Sequence, residues 1–173
     1  MSGTTIGKSL NFGFAGSYAR QPDMIIQTRP NVGTADIVFG RPVMKGTVGG
    51  VDGVRNIIAG FVPSQFGGIA ARQVQSALNY ADQGLNGGGG SYPVNAPVSV
   101  FQRGSISVIC SAGTPVLGGP VYVRVVAGTG TNIGDIEATA DGTNNVQLTN
   151  AQWGGAADAN GVAELVLLTR VNA

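Results

Sequence analysis

The sequence predicts an all-β protein: an antiparallel β-sandwich or jelly-roll-like domain preceded by an extended N-terminal arm. Glycine accounts for 29 of the 173 residues, and it disfavours helix interiors by about 1 kcal/mol relative to alanine. From residue 35 onward, short apolar or alternating runs recur between turn residues. Short strands at this spacing are typical of a sandwich, a jelly roll or a barrel. No strand pattern alternates with a long helical pattern, which argues against a parallel α/β sheet.

Residues 1–34 form the predicted arm, and residues 35–173 form the β-domain. The arm has no sustained period of 2 or 3.6 residues and is interrupted repeatedly by glycine and proline. It therefore has little means of folding on itself. It also carries apolar and aromatic side chains, unlike an ordinary solvated tail. We expect it to reach a neighbouring subunit and to become ordered on binding; the alternative is that it folds back over its own core.

Ten segments of the β-domain have the composition of strands. The strongest is 162–170, where both faces are largely apolar, which predicts a central position in a sheet. Segment 70–83 fits either a strand running into a loop or a short helix, and we favour a strand through residue 75. The glycine run 87–90 predicts a flexible loop over residues 84–92. The predicted strands are 35–39, 42–47, 57–62, 68–75, 98–102, 105–110, 120–126, 134–138, 145–148 and 162–170.

The composition argues against catalysis. The chain has no histidine, the usual proton shuttle near neutral pH and the commonest metal ligand. Its single cysteine, Cys110, lies in an alternating segment, so we interpret it as a small hydrophobe on a strand. The glycine-rich stretches 87–90 and 128–134 lack the strand, helix and lysine context of a phosphate-binding loop. We therefore predict no enzyme activity and no cofactor.

The closest group of acids is Asp135, Glu137 and Asp141. In a strand, Asp135 and Glu137 share one face. A cation site and a solvated strand edge both fit this spacing. We favour the solvated edge, where charges also discourage unwanted strand pairing, and we predict no metal site.

The charge pattern points to a protein partner. Net charge is +1 and only 11% of residues are charged, so no broad field favours nucleic acid or an anionic membrane. With so few charged residues, part of the protein surface is expected to be apolar, and we expect that part to be buried against another protein. Of the basic residues only Lys8 and Lys45 are lysine, and arginine is the cation favoured at interfaces. The N-terminus has no signal-peptide pattern, and no apolar run approaches the ~18 residues that cross a bilayer.

Four blocks follow one another between residues 16 and 168. They are GSYARQPDMIIQTRP with FGRPV, FGGIAARQVQ with the glycine-rich loop and SYP, VSVFQRGSISVIC with GTPVLGGPVYVRV, and NAQWGGAADANGVAELVLL. In this order they resemble the cement or decoration proteins of tailed-bacteriophage heads. The resemblance implies a β-rich homotrimer on the outer surface of the expanded capsid, assembled in the bacterial cytoplasm. It also implies binding to the major capsid protein, whose copies it joins against the outward pressure of packaged DNA.

Side-chain chemistry favours Phe12, Phe14, Tyr18, Arg20 and Arg29 of the arm as capsid contacts. Aromatic rings fill pockets at interface hot spots, and arginines pair there with carboxylates. The alternative is that these rings cap the sandwich of their own chain.

Gln102, Arg103 and Trp153 are the candidate contacts within the trimer, although Trp153 fits a core position equally well. A carbohydrate-binding or adhesin-like β-sandwich is the alternative function. For that function Trp153, beside Gln152 and Asn150, is the start of an aromatic platform.

Overall fold

One long strand, β7 (Pro97–Ala112), pairs with four other strands and is shared by the two main groups of strands. A computed structural model of the chain describes residues 13–72 and 90–170. The described residues include no helix with the length and apolar character needed to cross a membrane. The other strands are β1 (Tyr18–Pro30), β2 (Ile37–Val38), β3 (Pro42–Val48), β4 (Val51–Asn56), β5 (Phe66–Ala70), β6 (Ser91–Tyr92), β8 (Pro120–Arg124), β9 (Ile136–Glu137), β10 (Asn145–Trp153) and β11 (Val162–Leu167), with a 3-10 turn at Pro63–Gln65.

Five strands form a closed ring in the C-terminal half. β7 pairs with β11, β11 with β10, β10 with β8 and β8 with β9, and β9 returns to β7. Only the β7–β9 pairing is parallel. Ile106, Leu165 and Trp153 occupy paired positions of this ring, are fully buried and belong to one apolar cluster. This closure is that of a small barrel filled by side chains.

A second set of strands shares β7. Phe101 of β7 pairs with Ile26 of β1 on one edge and with Ile69 of β5 on the other. β5 continues to β3 and β3 to β4. A bridge between Asn31 and Val54 then brings the end of β1 to β4. A separate apolar cluster, made of Ile37, Phe39, Val43, Val54, Ala70, Tyr92, Val98 and Val100, fills this half.

The all-β class is confirmed, and so is the central position of the last strand, since β11 lies between β10 and β7. The sandwich or jelly-roll arrangement is not confirmed, because the pairings close into a ring. Predicted strands 98–102 and 105–110 are one strand, β7. It continues through Gly104, whose φ of 104° is open to glycine but strained for other residues.

The prediction for segment 57–62 is wrong, because the strand lies earlier in the chain. The sequence VGGVDG predicts a broad turn, but only Gly49 and Gly50 turn, with φ of 60° and 79°. Val51 already pairs with Val48 across the hairpin. Residues 57–62 instead connect β4 to the 3-10 turn. Residues 73–75 of predicted strand 68–75 and residues 84–89 of the predicted loop lie outside the described residues.

Residues 18–30 of the predicted arm fold back on their own chain as β1. The strand runs antiparallel to β7, with register irregularities between Tyr18 and Ile26. Asn31, which is fully buried, fastens the end of this strand. Its Nδ2 donates to the carbonyls of Ala35, Tyr92 and Pro93 at 3.1, 3.3 and 3.2 Å. The fold-back alternative therefore describes this part of the arm in the single chain.

Candidate functional site

Phe14 and Tyr18, two of the predicted capsid contacts, lie partly exposed near the start of the described chain. Phe14 is 44% exposed and Tyr18 is 39% exposed. The Arg72 guanidinium lies 4.6 Å from the centroid of the Phe14 ring, a cation–π contact. The Tyr18 ring stacks on Phe101 with 5.9 Å between centroids, and burial, with a smaller effect of Tyr92, raises its pKa. Both rings therefore keep contact with their own chain and present the rest of their surface to solvent.

The backbone just before β1 is hydrogen-bonded to β7 and to the segment after β5. Gly16 donates to the Ser107 carbonyl at 2.7 Å, and its own carbonyl accepts from the Arg72 N–H at 2.7 Å. A Cβ on Gly16 would lie 2.8 Å from the backbone nitrogen of Gly40, so the two backbones approach too closely for a side chain. Phe12, the remaining predicted aromatic contact, lies outside the described residues.

Arg20 neutralises a buried carboxylate on the last strand. Its Nε donates to Oε1 of Glu164 at 2.7 Å, and the Glu164 side chain is 4% exposed against 73% for Arg20. Burial raises the pKa of Glu164, but hydrogen bonds from Arg20 and Ser105 lower it by more, so it lies below its ordinary value. No local sequence pattern signals this pair, whose members are 144 residues apart. Arg20 thus ties β1 to β11 while most of its side chain stays in water.

Arg29 and Arg103 lie on the neighbouring strands β1 and β7, and both are exposed. Arg103 forms an ion pair with Asp23 of β1 at 3.3 Å. Arg29 lies 3.5 Å from the side-chain oxygen of Gln27. Exposed pairs of this kind contribute little to stability. Both guanidinium groups are therefore free to exchange these contacts for a partner's carboxylate.

The side chain of Gln102, on β7, connects β5 with the segment after β11. Its Nε2 donates to the Gly67 carbonyl at 3.3 Å, and its Oε1 accepts from Nε of Arg170 at 3.1 Å. Four exposed arginines lie on β1, on β7 and in the segment after β11. We call them the arginine band: Arg20, Arg29, Arg103 and Arg170.

Trp153 is a core residue. Its side chain is fully buried in the C-terminal barrel, so the ring offers no surface to a second subunit or to a sugar. Of the two positions that the sequence left open, the structure shows the core position. The Trp153 backbone does support a surface feature, because its carbonyl accepts from Gly118 at 2.8 Å and its N–H donates to Gly119 at 3.0 Å.

The prediction that Asp135 and Glu137 lie on a solvated edge is wrong. Both are buried, at 5% and 0% exposure, and each is paired with an arginine. Asp135 binds Arg41, and Glu137 accepts from Nε of Arg124 at 2.8 Å.

Asp141 joins the same network from its exposed end. It accepts from Nη1 of Arg124 at 2.6 Å, which lowers the pKa of Asp141 and helps to raise that of Arg124 after the larger effect of Glu137. Within residues 13–72 and 90–170, no three His, Cys, Asp or Glu side chains are grouped to hold a metal ion. These acids therefore act as counter-ions to arginine: Asp135 to the partly buried Arg41, and Glu137 and Asp141 to the buried Arg124.

Comparisons with known proteins agree with a role in a phage capsid. The model of a family described as structural cement protein (E217 gp24/Pam3 gp6) matches residues 3–168. No curated protein matches the chain. Among solved structures, a chain of "The capsid of Myoviridae Phage XM1" superposes with a TM-score of 0.66 and 15% identity, covering 99% of each chain. At that identity the likeness shows a shared fold.

Proposed function

This chain belongs to the structural cement protein family of phages, and on that premise we propose that it binds the outer surface of the expanded head. There it joins neighbouring copies of the major capsid protein. The family match over nearly the whole chain carries this proposal. A molecule bound across several capsid subunits adds contacts that must break before those subunits separate. It thereby resists the outward pressure of packaged DNA, and this role requires no catalytic group, metal or cofactor.

We place the capsid contact on residues 1–34, which include Arg20 and Arg29 of the arginine band. Phe12, Phe14 and Tyr18 supply aromatic rings, and the exposed positions of Phe14 and Tyr18 support this assignment. Arg20 and Arg29 supply guanidinium groups that match carboxylates on the capsid. A head surface with acidic side chains around shallow apolar pockets fits this chemistry.

We further propose that the protein acts as a homotrimer, with Gln102 and Arg103 near the contact between copies. Once one copy has bound, the other two engage in effectively intramolecular steps. Avidity can then exceed the affinity of a single site by about 10²–10⁴. Weak contacts on each chain are therefore sufficient for a stable cement.

The test is co-sedimentation of the full chain with undecorated, expanded heads. We compare the wild type with Arg29→Glu and, as a matched control, with Lys45→Glu, since Lys45 is also exposed but lies on β3. We expect saturable binding by the wild type and the control, and binding at least about tenfold weaker for Arg29→Glu. No saturable binding by the wild type contradicts the cement proposal. Unchanged binding by Arg29→Glu moves the contact away from Arg29.

A further inference from the structure

The turn at residues 116–119 exposes the side chain of Leu117 to solvent. Leu117 is 81% exposed, the highest value among the large apolar side chains of the described residues. The turn is closed by a hydrogen bond from the Gly119 N–H to the Val116 carbonyl at 2.9 Å. Gly118 follows Leu117 with φ of 74°, as a type II turn requires. With the two bonds to the Trp153 backbone, this turn presents Leu117 as a fixed apolar projection.

A cleft of about 220 Å³ lies elsewhere on the same chain. Its walls include Phe39, Ile136 and the half-exposed side chains of Val38 and Ile109. The cleft is smaller than the ~300–1,000 Å³ of pockets for drug-sized ligands, and it has room for one aliphatic side chain. It forms where the segment between β2 and β3 faces β7 and β9.

The charges in this cleft neutralise each other. Arg41 and Asp135 line it and form an ion pair, so the cleft favours an uncharged apolar side chain over an ionised one. The loop that carries Leu117, residues 113–119, has the sequence GTPVLGG and contains no charged residue. A leucine side chain therefore fits the cleft in size and brings no unpaired charge to the Arg41–Asp135 ion pair.

We propose that Leu117 of one copy inserts into this cleft on the next copy, so that the contact runs head to tail. No residue of the turn belongs to the cleft, and each chain thus contributes one projection and one cleft. Contacts between two different surfaces form a ring when the rotation between copies closes. This inference rests on the proposed self-association, names one pair of surfaces that contributes to it, and is independent of head binding. Trp153, which lies in the core, positions the contact through its backbone.

Sedimentation equilibrium of the free chain tests the contact. We expect Leu117→Ser to weaken association about 10- to 100-fold, the effect of losing one buried leucine side chain. The matched control is Val48→Ser, because Val48 is 53% exposed at the end of the β3–β4 hairpin and lies in neither surface. Ser111→Phe tests the opposite side, since Ser111 is exposed and lines the cleft. It is expected to block the cleft and weaken association to a similar degree.

Mixing the two variants is the decisive step. Leu117→Ser keeps an open cleft and Ser111→Phe keeps its leucine, so an equimolar mixture should form more one-to-one dimer than either variant forms alone at the same total concentration. A dimer also shows that both variants are folded. A monomeric wild type, unchanged association of Leu117→Ser, or no dimer in the mixture each overturns the proposal. Head co-sedimentation separates the two claims: a Leu117→Ser chain that associates normally but no longer binds heads assigns the leucine to the capsid and overturns this inference.

Discussion

Replacing Gly104 by alanine is expected to displace β1 from β7. Gly104 has φ of 104°, and a Cβ there would overlap the Asp23 carbonyl oxygen and lie 3.1 Å from the Asp23 carbonyl carbon. The positive φ costs about 1–2 kcal/mol for a residue with a side chain. Overlap with a backbone group costs about 1–3 kcal/mol more, because no side-chain rotation relieves it. The free energy of unfolding should therefore fall by about 2–5 kcal/mol.

Gly130→Ala is the matched control, because Gly130 has φ of 75° and a Cβ added there would meet no atom within 4 Å. It should lose only the about 1–2 kcal/mol that the backbone conformation costs. At about 2–4 °C per kcal/mol for a chain of this size, Gly104→Ala should melt about 2–12 °C below the control in a circular-dichroism experiment. Trypsin should also cut faster after Arg20, since cleavage requires β1 to open. Equal melting temperatures and equal cleavage in the two variants would refute the tight packing of β1 on Gly104.

Three further predictions concern buried polar groups. Asn31→Ala removes the donor to three carbonyls and should lower the free energy of unfolding by about 2–3 kcal/mol in urea titration; a loss below about 1 kcal/mol would contradict the role of Asn31 in fastening β1. Because the pKa of Glu164 lies below its ordinary 4.5, its stabilisation is complete above that value and disappears as pH falls through the lower folded pKa; Glu164→Gln should flatten the acid limb of stability against pH, and an unchanged limb would refute this. Glu137→Gln leaves Arg124, whose side chain is 8% exposed, without its buried counter-ion, and should cost about 3 kcal/mol in thermal unfolding; a loss within about 0.5 kcal/mol, the usual range for surface changes, would show that the pair is not needed.

The sequence predicts the strands whose pattern reflects their own burial. Segment 162–170 has apolar side chains on both faces, and it forms β11 in the middle of a sheet. β1 has no such pattern, because its pairing depends on β7 and includes irregular register. Nothing local to residues 18–30 encodes that partner.

The burial of the acids could not be predicted either, because it also depends on partners that are distant in the sequence. The spacing of Asp135 and Glu137 predicts a solvated strand edge, but each is buried and paired with an arginine. Arg41 lies 94 residues from Asp135, so the ion pair exists only after the two halves of the chain meet. The sequence leaves Trp153 open between core and surface for the same reason, since its burial depends on strands that precede and follow it.

The sharing of β7 also constrains how the chain folds. Ile106 pairs with Tyr18 on one side and with Leu165 on the other. The first and last described strands, β1 and β11, can therefore pair only after β7 is available. Loop-closure entropy must be overcome before either pairing yields stabilising contacts. Chains dominated by such distant pairings fold in about milliseconds to seconds, whereas helical bundles fold in microseconds to milliseconds. Until β1 and β11 have both paired with β7, the part of β7 around Ile106 has unpaired edges, and unpaired strand edges promote aggregation.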